Sequence, residues 1–297
     1  MSPLGSAPPG RDPDGLTRWQ AARVERRLAV FHPEIGGRVR AALAGARAGD
    51  RAYLRAALAA GHPARDVLTL AERIAGKPPD WVATRLRLVD GVPGGQYRLG
   101  ARIDQVDATT CGTAVLLVLA TGADPVLALS LTAPDVVPDA APGTGPDVQP
   151  DDQSDDPGFG TRFDRRQLLV HRQSNLCWPR ALGTTPWGMT RWLARRATGV
   201  GPYRVRWAAG RRAARLVSEV DRALALGERV PLLVGARLPR HYVLALGRDD
   251  TAGEAGWRVY EPSSGEVRVV PVAAVRERRL ARWLGFDRMY AALLPAA

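Results

Sequence analysis

The chain is short of several residue types, and each shortage excludes something. Its 297 residues contain two cysteines, Cys111 and Cys177. Two are too few for a disulfide framework, so both are expected as free thiols in the reducing cytoplasm. With four histidines beside them, no paired ligand spacing occurs, so neither a metal site nor a cofactor is expected. The longest apolar run, Ala114 to Ala120, is seven residues, far below the roughly 20 that a membrane helix needs. The proline- and glycine-rich start, Met1 to Gly15, has no apolar stretch of the signal-peptide kind. No membrane association is expected. Lysine is nearly absent, with Lys77 alone beside 41 arginines.

What is present describes a folded chain. Apolar residues make up 45% and charged residues 24%. A chain of this length can form one large domain or two small ones and bury about three quarters of its unfolded surface. Basic residues number 42 against 30 acidic, a formal net charge of +12. Such a charge suits nucleic acid or anionic lipid. Phosphate binders, though, ordinarily use lysine as well as arginine. The arginine excess reads as the codon bias of a GC-rich genome, so nucleic acid is not the expected partner. The groups Arg211, Arg212, Arg215 and Arg276, Arg278, Arg279, Arg282 fall at helical spacing and read as solvated faces.

Residues 1–15 read as a disordered tail and 16–92 as a helical region. Apolar residues recur at helical spacing there, as in Leu16, Trp19, Val24, Leu28 and in Ile35, Val39, Leu43. Pro33, Pro63 and Pro79 mark helix starts, while Gly61 and Gly76 mark ends. This region can be a pro-region, a recruitment module or an integral layer of the fold. Glycines 91, 94 and 95 mark a boundary. The second unit, 93–297, begins with an expected strand from Tyr97 to Ile103. A helix from Cys111 to Thr121 follows, apolar on nearly every face and therefore buried. Residues 132–160, rich in Pro and Asp, read as a disordered acidic insertion. Helices are expected from Thr185-Pro186 and over Arg211 to Leu226. Strands are expected at 230–234, 242–246, 257–260, 267–270 and 289–294. Strands in close succession predict an α+β fold with a mostly antiparallel sheet.

Chemistry-bearing residues stand at three separated places. Cys111 opens the buried helix, where unpaired backbone N–H groups and the helix dipole favour a thiolate. Taken alone, it reads first as a small hydrophobe packed in a helix. Gln105, six residues earlier, can offer its amide to an oxyanion above the sulfur, or can be a polar loop residue. Gly112 gives room for a substrate or for close packing. His241 opens a strand that is apolar on both faces, which makes that strand central. Glu261 ends the next strand. A hairpin symmetric about residue 251 places Glu261 directly opposite His241, about 5 Å between Cβ atoms. A carboxylate there orients an imidazole and stabilises its charged form. Cys177 reads as a packing residue near Trp178; Trp187, Trp192 and Trp207 read as core, with Trp178 or Trp187 as an alternative cleft wall.

The segments "QVDATTCG", "RHYVLALG" and "YEPSSGEV", in the order Gln, Cys, His, acid, resemble the papain-like cysteine peptidase superfamily. The likeness is closest to its bacteriocin-leader-processing branch in free-standing bacterial form. It covers residues 96–131 and 161–297. The resemblance implies a papain-like α+β fold, with a central helix carrying the nucleophile Cys111 against an antiparallel sheet. It implies His241 as general base, Glu261 as orienting acid in place of the family's usual Asp, and Gln105 as oxyanion donor. The expected activity is hydrolysis of a peptide or amide bond in a peptide or protein substrate. Acyl transfer or deamidation by the same triad is the second enzymatic reading. An inactive papain-like binding module with a basic face is the non-enzymatic one.

Overall fold

The structure, a computed structural model, describes residues 11–133, 158–175, 178–179, 181, 183–210, 212–250 and 253–296. Most of the expected acidic insertion, most of the N-terminal tail, Cys177 and Arg211 lie outside the described residues.

Five helices come first: α1 (Arg18–Val30), α2 (Pro33–Gly45), α3 (Ala48–Ala60), α4 (Ala64–Ile74) and α5 (Pro79–Leu86). Their limits follow local chemistry. Pro33 and Pro79 stand at the first helical position, where a missing N–H costs nothing. Thr17 and Gln20 form a capping box on α1, and Gly61 closes α3 in the left-handed conformation at φ 98°. Leu54, Leu58, Val67, Leu70, Ile74 and Leu86 make a core of their own, which also takes in Leu129.

Leu129 belongs to α7 (Pro125–Thr132), which turns sharply away from α6 (Cys111–Thr121). Among the described residues no single helix is long and apolar enough to cross a membrane. α6 has the limits its sequence predicts, and every one of its residues is buried. α8 (Phe159–Ser174) and α9 (Pro186–Arg196) flank it. Thr185 caps α9 by accepting from the Gly188 N–H. After β4 (Tyr203–Trp207) comes α10 (Arg212–Ala225), whose buried stripe is Leu216, Val217, Val220 and Leu224.

β5 (Val230–Gly235), β6 (Pro239–Asp249), β7 (Gly256–Glu261) and β8 (Glu266–Pro271) run as an antiparallel meander. Short helices α11 (Val272–Arg276) and α12 (Ala281–Leu284) then lead to β9 (Arg288–Pro295). With β1 (Gly94–Gly95), these strands and β4 form one seven-stranded sheet, ordered β1-β8-β7-β6-β5-β9-β4, with every pairing antiparallel. The chain is therefore α+β. The expected strand at 97–103 is instead two two-residue strands, β2 (Tyr97–Arg98) and β3 (Ala101–Arg102), because Leu99 and Gly100 turn the chain back at positive φ. β4 had no counterpart among the expected strands. Its arginines at 204 and 206 break the apolar pattern, as suits an edge strand.

The sheet separates two cores. Along β6, Tyr242 and Leu244 face α6, while Val243 and Ala245 face α10, the two-residue period of a pleated strand buried on both sides. β6 lies third from neither edge but at the middle of the order, as its apolar sequence implies. Trp192 is buried as expected. Trp187 and Trp207 are exposed, because they fall on the outward faces of α9 and β4.

The helical region shares its core with α7 and so is an integral layer. Removing residues 1–92 uncovers Val126, Leu129 and Ala133. The remaining chain is expected to aggregate; a monodisperse, cooperatively melting product in size-exclusion and calorimetric runs contradicts this.

Candidate active site

Cys111 is the first residue of α6, 3% exposed, and its thiol is free. The loop before it is tied by side chains. The Asp107 carboxylate accepts from the Thr109 N–H and hydroxyl, at 2.8 and 2.7 Å. The Thr110 hydroxyl accepts from the Asp107 N–H at 2.9 Å and contacts the Asp107 carbonyl at 3.0 Å. Thr110 thus braces the loop and makes no cap bond to α6. At Gly112 a Cβ would lie 2.9 Å from Thr184 Cβ and 3.1 Å from Tyr242 Cδ2. The glycine is there for close packing of α6 on β6 and on the segment before α9.

His241 and Glu261 meet, though not in the register expected. Leu244 pairs with Tyr260 and Asp249 with Gly256, with a bulge between Ala245 and Gly247. The hairpin centre therefore lies beyond residue 251. Continuing this register puts Glu261 across from Val243, so it reaches His241 diagonally. Diagonal neighbours are about 7–8 Å apart at Cα, a span that the longer glutamate side chain suits. His241 Nε2 and Glu261 Oε1 are 2.7 Å apart, both side chains buried. A second bulge, between Val234 and Gly235, falls beside His241 on the other neighbouring strand; bulges re-aim side chains. The Phe286 ring stacks on the imidazole at 5.2 Å.

The carboxylate is fully satisfied. Oε1 also accepts from the Ser263 N–H at 2.9 Å, and Oε2 from the Ser264 N–H and hydroxyl, each at 2.8 Å. Burial pushes this carboxyl's pKa up, but bonds from His241 and the Ser263–Ser264 turn outweigh it and bring it down from 4.5 to about 2. Burial pushes His241 down, but hydrogen bonding and negative charge from Cys111 and Glu261 outweigh that and raise it from 6.5 to about 9. With Nε2 held by Glu261, Nδ1 is the nitrogen left for the thiol. Cys111 is the other group whose charge and hydrogen bonding raise the ring's pKa.

Gln105 is in the same network. Its backbone N–H donates to the Pro262 carbonyl at 2.8 Å, and its Oε1 accepts from the Ser263 hydroxyl at 3.2 Å. Its Nε2 donates to the Asp107 carbonyl at 2.8 Å. The amide therefore staples the Cys111 loop to the turn that holds Glu261; one of its hydrogens is committed to Asp107. The hydroxyl of Tyr242 is buried with no hydrogen-bond partner among the described residues; burial and then the Cys111 charge hold this phenol well above its ordinary pKa, so it stays neutral.

Ser263, Ser264 and Phe286 carry no sequence signal that separates them from ordinary turn and apolar residues. The Ser-Ser-Gly stretch after Pro262 is an ordinary turn composition. Among the described residues no group of three or more His, Cys, Asp or Glu has the arrangement to hold a metal ion. Comparison of the chain with protein-family models, with curated proteins and with solved structures gives no match.

Two outcomes are expected. Gly112→Ala overpacks the α6–β6 contact and costs about 1–3 kcal/mol, read as a lower denaturant midpoint. The second concerns protonation. The raised His241 pKa stabilises the fold fully below 6.5, and this is lost as pH rises through about 9. The lowered Glu261 pKa stabilises it fully above 4.5, and this is lost as pH falls through about 2. In Glu261→Gln, NMR titration of His241 is expected to shift toward lower pH; an unchanged midpoint means the carboxylate does not govern the ring.

Proposed function

We propose that the chain is a thiol hydrolase, a cysteine peptidase or amidase with a papain-like arrangement of its site. The observation that carries this is the convergence of a thiol at the start of a buried helix with a carboxylate-held imidazole on the adjacent sheet. The order Gln, Cys, His, acid and the central helix on an antiparallel sheet support the same reading.

On this reading the imidazole, protonated at neutral pH, keeps the Cys111 sulfur as thiolate. The thiolate attacks the substrate carbonyl carbon, forming a C–S bond. The oxyanion is held by the Cys111 backbone N–H, which leads the helix, and by the Gln105 amide hydrogen not used by Asp107. As the C–N bond breaks, His241 gives its proton to the leaving amine. Water then attacks the thioester with His241 as base, releasing the acid and restoring the thiol. Glu261 holds the ring and its positive charge. Each oxyanion donor is worth about 10² to 10³ in rate. A working thiol of this kind belongs in a reducing compartment, and the expected setting is the cytoplasm.

The test is alkylation with iodoacetamide, small enough for a nearly buried sulfur, at neutral pH. Cys111 is expected to react in the folded chain, and more slowly in His241→Ala. If Cys111 reacts only after unfolding, the reading fails. Hydrolysis of reporter amides is expected to vanish in Cys111→Ala and to fall about 10² to 10³-fold in Gln105→Ala. With a glutamine peptide and added amine, incorporation of the amine instead of hydrolysis identifies acyl transfer.

A further inference from the structure

A cavity of about 390 Å³ lies where the N-terminal helices meet the sheet unit, at the end of α6 opposite Cys111. Its wall carries Arg11, Arg87 and Arg229, contributed by the chain start, the segment after α5 and the residue before β5. The acids on the same wall do not balance them. Asp14 is bonded to Arg51 and Arg55, and Asp90 to Arg98. Glu228 remains, and burial pushes its carboxyl above the usual range against the pull of Arg11. Arg11 donates to the Gly15 and Gly227 carbonyls, which accept hydrogen bonds and carry no formal charge. Among the described residues no carboxylate pairs with Arg87 or Arg229.

Arg229 is half-buried and lies so close to Gly122 that a Cβ there would collide with its guanidinium. Burial, with the neighbouring charges of Arg11 and Arg87, lowers its pKa from 12.5 to about 10. The carbonyl end of α6 favours one cation beside it; it does not account for three.

We propose that this cavity is an anion site whose ligand is a small molecule bearing a phosphate group. Guanidinium forks grip phosphate oxygens bidentately, and the volume lies in the small-ligand range of roughly 300–1,000 Å³. A dianion returns the wall toward neutrality. The bound group touches both layers at once. It also lies against Leu119 of α6, whose other end is Cys111, and against Arg229, which leads into β5.

The test is calorimetric titration of the full chain with pyrophosphate, orthophosphate and citrate at ionic strength held constant with chloride. Saturable one-to-one binding of pyrophosphate is expected, tighter than citrate, and weakened about tenfold or more in Arg87→Gln and Arg229→Gln. Arg87 is exposed, so Arg87→Gln keeps the fold. Should Arg229→Gln be unfolded by circular dichroism, Arg87→Gln alone decides. Absence of saturable binding, or pyrophosphate affinity unchanged in Arg87→Gln, overturns the site. Citrate binding tighter than pyrophosphate overturns the phosphate assignment.

Discussion

Helix α6 has no face for water. All eleven of its residues are buried, so the chain must cover it on every side, and most of the architecture is that cover. Leu233, Tyr242 and Leu244 present the sheet to it, while Phe163, Val170, Met189 and Leu193 present α8 and α9. Burial at about 25 cal/mol per Å² of apolar surface makes this the main stabilising term of the unit. The same constraint places the thiol. A helix wrapped on all sides leaves only its ends as polar surfaces. Its N-terminus, carrying Cys111, comes to rest at the start of β6, beside His241. Close approach there requires Gly112, because Thr184 and Tyr242 occupy the space a side chain needs.

The second demand is electrostatic. Burial disfavours the charged forms of both His241 and Glu261, and a buried pair holds only when its remaining polar valences are satisfied. The turn after β7 does this. It offers two backbone N–H groups and the Ser264 hydroxyl to the carboxylate. The hydroxyl of Ser264 in turn accepts from Arg268 at 3.1 Å. Gly265 permits the turn at φ 61°, where a Cβ would lie 2.8 Å from the Ile103 carbonyl. Gln105 joins this turn to the Cys111 loop, so thiol, imidazole and acid are positioned by one continuous hydrogen-bonded strip.

Several of these features were legible beforehand. Proline and glycine act through their own backbone, proline by its fixed φ and missing N–H and glycine by its access to positive φ. Pro33, Pro79 and Gly61 therefore marked helix limits without knowledge of neighbours. All-round apolarity marked α6 as buried, and apolar residues on both faces marked β6 as central. Register was less accessible. One bulge and a hairpin centre beyond residue 251 were enough to turn an expected direct His–Glu pair into a diagonal one. β4 escaped because an edge strand needs only half a pattern. The tying of Gln105 to Asp107 and Ser263, and the stacking of Phe286 on His241, join residues far apart in the chain.

By itself the sequence determined the α+β class, the span of the buried helix and the candidates Cys111, His241, Glu261 and Gln105. Those depend on local propensity, periodicity and residue chemistry, which are properties of short segments. The tertiary structure alone decided that the carboxylate meets the ring across a diagonal, that a serine turn keeps it ionised, and that three arginines share one cavity beyond α6. Those depend on register, close packing and unbalanced charge, which exist only once distant segments occupy the same space.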